Sequence, residues 1–84
     1  MRITYNKEVD MLLISLAPPT GRVATVENAN GDLLRIDTVI DAVIGVHIQL
    51  FTHRIKKGER IEVPEIGFSI PASSIPGLHS EEIA

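Results

Sequence analysis

Cysteine and tryptophan are missing from this chain of 84 residues, and its only aromatic side chains are Tyr5, Phe51 and Phe68. Without cysteine there is no disulfide and no thiolate ligand, so no disulfide staples the fold and a thiolate-ligated metal centre is excluded. With so few rings, the core must be aliphatic. Basic residues are also scarce: eight against eleven acidic ones leave a net charge of −3. A sequence-independent grip on nucleic acid needs a dense basic surface, so nucleic acid is not an expected partner. No apolar run approaches the roughly 20 residues of a membrane-crossing helix. The opening Met1–Glu8 lacks the apolar stretch of a secretion signal. The expected setting is therefore the cytoplasm, away from membranes.

What is present is ordinary for a globular domain, with 44% hydrophobic and 23% charged residues. The length fits one domain over residues 1–84. A chain this small buries only about 60% of its unfolded surface, so self-association is an expected supplement to the core.

Proline, glycine and asparagine divide the chain. Arg2 to Tyr5 alternates polar and apolar residues and suits a first strand, followed by the polar turn Asn6-Lys7-Glu8. Met11 to Leu16 is a second strand, stopped by Pro18-Pro19-Thr20-Gly21, because proline cannot donate to a ladder. Arg22 to Glu27 is a third, rich in β-branched residues. Asn28-Ala29-Asn30-Gly31 is the strongest turn signal, and its Asn-Gly pair predicts a type I′ hairpin. Asp32 to Thr38 returns from it. After a weaker turn at Asp41-Ala42, Ile44, Val46, Ile48 and Leu50 alternate with Gly45, His47 and Gln49. Thr52 to Arg60 is polar and basic, with Lys57-Gly58 as a turn or the end of one helical turn. Ile61-Glu62-Val63 alternates before Pro64; Ile66, Phe68 and Ile70 alternate before Pro71. Pro71 to Gly77 has loop composition, and the tail after Ser80 is expected to fray. The fold class is mainly β, on the border of α+β. It is an antiparallel meander of about five strands with a C-terminal strand and little helix.

The opening Tyr5-Asn6-Lys7-Glu8-Val9-Asp10-Met11-Leu12-Leu13-Ile14-Ser15-Leu16 resembles the start of a small prokaryotic family known only as a domain of unknown function. That family begins Y-D-x-E-x-D-x-L-Y-I-x-L. Tyr5, Glu8, Asp10, Leu12, Ile14 and Leu16 match; Asn6 replaces its Asp and Leu13 its second Tyr. A V-x-x-T-x-E stretch is matched loosely by Val23 and Glu27. A strand ending in Asp resembles Leu34 to Asp37, and a V-G-I-E-I-L strand resembles Ile44-Gly45-Val46-His47-Ile48-Gln49-Leu50, with His47 in place of Glu. The resemblance covers residues 1–51 and marks Tyr5, Glu8, Asp10, Glu27, Asp37 and Gly45. It implies a small antiparallel β domain and no reaction. Some members are encoded beside small toxin-like proteins, which implies a neutralising, antitoxin-like role toward a small basic partner.

The candidates for chemistry are few. Glu8, Asp10, Glu27, Asp37 and Asp41 form an acidic set, and hard cations need several carboxylates converging on one point. Glu8, Asp10 and Asp37 are the trio for a divalent metal or small ligand; turn and strand-end hydrogen bonding is the competing role. Tyr5 with Asp10 either orients a ligand or packs a ring and satisfies its hydroxyl. His47, His53 and His79 lack the short spacing of a zinc site. Ser15, Ser69, Ser73, Ser74 and Ser80 include no nucleophile elbow, although Gly67-Phe68-Ser69-Ile70-Pro71 has a partial likeness to one. No phosphate loop is present. Arg54, Lys56, Lys57 and Arg60 form the one basic cluster, expected as a solvated loop.

Both faces of the second strand are apolar: Leu12, Ile14 and Leu16 on one, Met11 and Leu13 on the other. Such a strand is covered on both sides. The segment Ile61 to Ile70, from this chain or a second protomer, is the expected cover for Met11 and Leu13, which are otherwise the candidate dimer interface. The function these observations imply is a non-enzymatic, homodimeric interaction module without a cofactor. A ligand-binding β domain using Glu8, Asp10 and Asp37 is the alternative.

Overall fold

A computed structural model describes residues 1–70 of the chain. The chain is mainly β. Its strands are β1 (Arg2–Asn6), β2 (Met11–Ser15), β3 (Val23–Glu27), β4 (Leu33–Asp37) and β5 (Ala42–Gln49). A short helix, α1 (Phe51–Lys56), follows, then β6 (Ile61–Val63), a 3₁₀ turn (Pro64–Ile66) and β7 (Phe68–Ile70). The first five strands form one antiparallel sheet, and β6 and β7 form a two-stranded hairpin.

The five antiparallel strands are those expected, but they do not lie in sequence order. The order is β1-β2-β5-β4-β3, so β2 pairs with β5 and not with β3. Pro18 and Pro19 rule out a tight hairpin after β2. The chain instead runs across the end of the sheet over residues 16–22, where Leu16 and Ala17 donate their N–H groups to the Ile44 carbonyl. β5 is the longest strand, and it occupies the centre, where both of its edges are paired.

Two local expectations change. The β3–β4 turn is not type I′, since Gly31 alone takes a positive φ, 83°. Asn28 and Asp32 close a three-residue loop, with the Gly31 N–H bonded to the Asn28 carbonyl and the Asn28 side chain accepting from the N–H groups of Asn30 and Asp32. A turn of that length needs only its last residue left-handed. The alternation of β5 also breaks. The register jumps between Arg35 and Ile36, which pair with Gly45 and Val43 and leave Ile44 as the extra residue of a bulge. Ile44 therefore leaves the apolar face that Val46 and Ile48 share.

That face carries the core. Leu12, Ile14, Leu34, Val46 and Ile48 pack with Phe51 and Ile55 of α1 and Ile61 and Val63 of β6. Phe51 and Ile55 are one helical turn apart, a two-residue stripe too short to register as periodicity in the sequence. The segment Ile61–Ile70 thus covers the Leu12/Ile14 face and leaves the Met11/Leu13 face alone, contrary to expectation. The reason is area: apolar side chains from β2, β4 and β5 line up only on the former. The loop at Pro71 to Gly77, His79, Ser73, Ser74 and the tail at Ser80 lie outside the described residues. Among the described residues no helix is long and apolar enough to cross a membrane.

If β6 closes this core, Ile61→Ala lowers the unfolding free energy by about 3 kcal/mol in urea denaturation. Val9→Ala, at a side chain 55% exposed, leaves it within about 0.5 kcal/mol. Equal effects of the two changes would contradict the packing.

Candidate functional site

The carboxylates are the natural starting point, and the fold separates them. Met11, next to Asp10, pairs with Gln49 at the end of β5, whereas Asp37 pairs with Ala42 at its start. At about 3.3 Å per strand residue, Asp10 and Asp37 lie roughly 25 Å apart. Glu8 is exposed in the β1–β2 turn, Glu27 is exposed at the end of β3, and Asp41 is exposed in the β4–β5 turn. The trio Glu8, Asp10 and Asp37 therefore does not form one site, and among the described residues no three acidic or histidine side chains converge.

Asp10 has a different task. It sits at φ 51° in the β1–β2 turn. Its Oδ1 accepts hydrogen bonds from the Tyr5 hydroxyl (2.7 Å), the Thr52 hydroxyl (2.7 Å) and the Thr52 N–H (2.9 Å). Its Oδ2 accepts from the His53 N–H at 3.2 Å, and its carbonyl accepts from the Phe51 N–H at 3.0 Å. These are the first N–H groups of α1, which are orphaned in any helix. Leu50, the helix's own cap position, offers no side-chain bond, so a residue forty positions upstream caps it. Burial pushes the Asp10 carboxyl up, but the bonds from Tyr5, Thr52 and His53 outweigh it and hold the group below its ordinary range. The Tyr5 hydroxyl is raised, by burial first and then by its bond to Asp10. The Tyr5 ring packs against Phe51, centroids 6.1 Å apart and tilted. The expected Tyr5–Asp10 pair exists, and its acceptor atoms are occupied by the fold.

Asp37 plays the same part at the other end. It has no accessible surface. Its Oδ2 accepts from the Thr20 hydroxyl (2.6 Å) and N–H (2.7 Å), and its Oδ1 accepts from the Val39 N–H at 2.9 Å. It thereby pins both the β2–β3 connection and the β4–β5 turn. The Thr20 bonds, hydroxyl first, lower its pKa against the opposing effect of burial.

A third carboxylate escaped the sequence reading. Asp32 is fully buried and accepts from Arg54 Nη1 at 2.8 Å. Arg54, expected in a solvated basic loop, is instead mostly buried on α1 and ties the helix to the β3–β4 hairpin. Asp32 Oδ2 has no partner among the described residues. Nothing in the local sequence marks this pair, because its members meet only through the fold.

The open face of the sheet remains. Cross-strand pairing sets Thr4, Leu13, His47, Leu33 and Glu27 in one row and Arg2, Ser15, Gly45, Arg35 and Thr25 in the next. No described strand or helix packs over it. Met11, Leu13 and Leu33 are half-buried, and Arg35 is exposed. At Gly45 a Cβ would lie 3.0 Å from the Ile14 carbonyl oxygen, so the position takes no side chain without movement. The missing side chain leaves a depression of about 90 Å³ bordered by Leu13, Ala17, Pro19, Arg35 and His47. A broader hollow of about 420 Å³ runs along Met1, Arg2 and Leu16–Pro19, and the two share Ser15, Ala17 and Pro19. His47 is pushed down, by burial first and then by the nearby Arg35 guanidinium, so it is neutral near pH 7. His53 is exposed on α1 and does not join it. Ser69 lies in β7, so the stretch resembling a nucleophile elbow is a hairpin arm and not a strand-to-helix turn.

Asp10→Ala costs about 1–2 kcal/mol of stability, the usual loss for a helix cap. Because Asp10 and Asp37 titrate lower in the folded chain, their contribution is complete above about pH 4 and is lost as pH falls through the folded values. Urea midpoints measured from pH 6 to pH 2 therefore decline for the wild type and decline less steeply for Asp10→Asn. Arg54→Met leaves Asp32 buried without its cation and lowers stability by about 3–5 kcal/mol, whereas Arg60→Met, at an exposed side chain, changes it by less than about 1 kcal/mol. Circular dichroism melts distinguish these outcomes.

Comparison with family models, with curated proteins and with solved structures gives no match. The resemblance of residues 1–51 thus rests on its motif residues alone, and the functional reading rests on geometry.

Proposed function

We propose that this chain is a non-enzymatic protein-interaction module whose partner seats on the open face of the sheet, and that the partner is an acidic protein segment with apolar side chains. The observation that carries this reading is the row Arg2-Ser15-Gly45-Arg35. Two guanidinium-bearing residues stand about three strand spacings, roughly 14 Å, apart. Between them the floor is made of a serine and a glycine, and Leu13 and Leu33 line the adjacent row. Apolar contact beside two guanidinium groups, with Glu27 the one carboxylate at the far end of the Leu13–Leu33 row, fits a carboxylate-bearing chain better than the small basic partner that the family resemblance implies. Neutralisation of a small toxin-like protein remains one form of this role, provided that protein offers acidic residues to Arg2 and Arg35.

The alternatives are less well supported. Small-molecule sites usually enclose about 300–1,000 Å³ with converging polar groups. The Gly45 depression is well below that size. The larger hollow has Arg2 and Ser15 as its polar side chains and opens broadly to solvent. The buried carboxylates are committed to Thr20, Thr52, Tyr5 and Arg54.

The test is a titration of the ¹⁵N-labelled protein with a synthetic peptide of alternating leucine and glutamate. Amide shifts are expected to move at residues 13–15, 33–35 and 45–47, and Arg35→Glu or Leu13→Asp weakens binding by at least about tenfold. The reading fails if no amide moves at about 1 mM peptide. It also fails if a leucine–lysine peptide binds as well.

A further inference from the structure

Among the described residues the five-stranded sheet has two edges, β1 and β3. Natural edges are blunted by lysine, proline or bulges that prevent pairing with another chain. β1 contains Arg2 and is followed by Lys7. β3, Val23-Ala24-Thr25-Val26-Glu27, likewise has no lysine, proline or bulge; it is preceded by Arg22, its one charge is the terminal Glu27, and its register with β4 is unbroken. Thr25, Val26 and Glu27 are exposed, Val26 to 48%.

Arg22 uses its carbonyl to accept from the Thr38 N–H, and Asn28 donates its N–H to the Asp32 carbonyl, so both bond toward β4. In an antiparallel ladder the bonding direction alternates from residue to residue. Ala24 and Val26 therefore also bond inward, while Val23, Thr25 and Glu27 direct both N–H and C=O outward. That outward set is symmetric about Thr25. An identical strand running antiparallel with Thr25 opposite Thr25 sets Val23 opposite Glu27 at both ends. All six outward groups then pair, and the exposed Val26 comes to lie beside the partner's Ala24.

We infer that this chain forms a two-fold homodimer by pairing β3 with β3 of a second copy, joining two sheets into one of ten antiparallel strands. The symmetry closes the assembly, because an isologous contact uses the same patch on both copies. The two-fold axis stands perpendicular to the sheet, so both open faces point the same way. The row containing Gly45, Arg35 and Thr25 runs on through its copy, bringing the two Arg35 residues about 14 Å apart across the axis. The inference is independent of what binds the open face, since it rests on the backbone of β3 alone.

Light scattering over a dilution series gives the mass, and amide hydrogen exchange reports the edge. The wild type is expected at twice the single-chain mass at high concentration, with the Val23, Thr25 and Glu27 amides slowed by at least about tenfold relative to the dilute protein. Thr25→Pro removes an outward N–H that the monomer does not use, and Val26→Lys places a charge on the edge. Each is expected to give a monomer with an unchanged circular dichroism spectrum, so failure of one to fold leaves the other as the test. Leu13→Asp, on the open face, stays dimeric. A monomer up to about 1 mM overturns the inference. So does a dimer that survives both edge substitutions or is lost in Leu13→Asp, and so does a mass that keeps growing with concentration.

Discussion

The hydrogen bonds accepted by Asp10 decide where residues 51–70 go. Leu50 turns the chain left-handed out of β5, and the Asp10 carboxylate and carbonyl together receive the first three N–H groups of α1. With that end fixed, Phe51 and Ile55 join the sheet's core, the Tyr5 ring packs against Phe51, and β6 adds Ile61 and Val63 to the same cluster as Val46 and Ile48. A helix of six residues has no independent stability in water. Its place depends on a cap supplied from the first turn of the protein.

The three buried or half-buried carboxylates share one logic. Asp10 holds the helix start, Asp37 holds the connection that crosses the sheet end, and Asp32 holds Arg54 and through it the outer side of α1. Each spends its charge on backbone or side-chain donors that would otherwise be unsatisfied. Acidic residues that look like a ligand set in one dimension become the joints of the fold in three. On the opposite face, a row holding Leu13 and Leu33 lies beside one holding Arg2 and Arg35, and Gly45 opens a depression.

Much of the fold was legible in the sequence because strand alternation and proline stops are local signals. β1, β2 and β4 fall within about a residue of their expected bounds. What could not be read depends on distant residues. The entry of β5 between β2 and β4 follows from competition between pairings, and α1 shows as little more than Phe51 and Ile55. The Tyr5–Asp10 pair was visible because five residues separate its members; Asp10–Thr52, Asp37–Thr20 and Asp32–Arg54 were not. The open face was half visible. Met11 and Leu13 announce a second apolar surface, but the arginines that give it character reach it by register with Gly45 and Ser15.

The strand order also has a consequence in time. β1 with β2 and β3 with β4 are hairpin or near-hairpin pairs that close short loops, whereas β2 with β5 joins residues about thirty to forty apart. In order of synthesis, the β1–β2 and β3–β4 pairs are two ribbons that precede β5 and share no strand pairing without it. β5 is made last of the five and is the only strand that touches both ribbons. Joining the two ribbons into one sheet therefore requires the middle strand, and the pairing that closes the longest loop falls on the strand with both edges bonded.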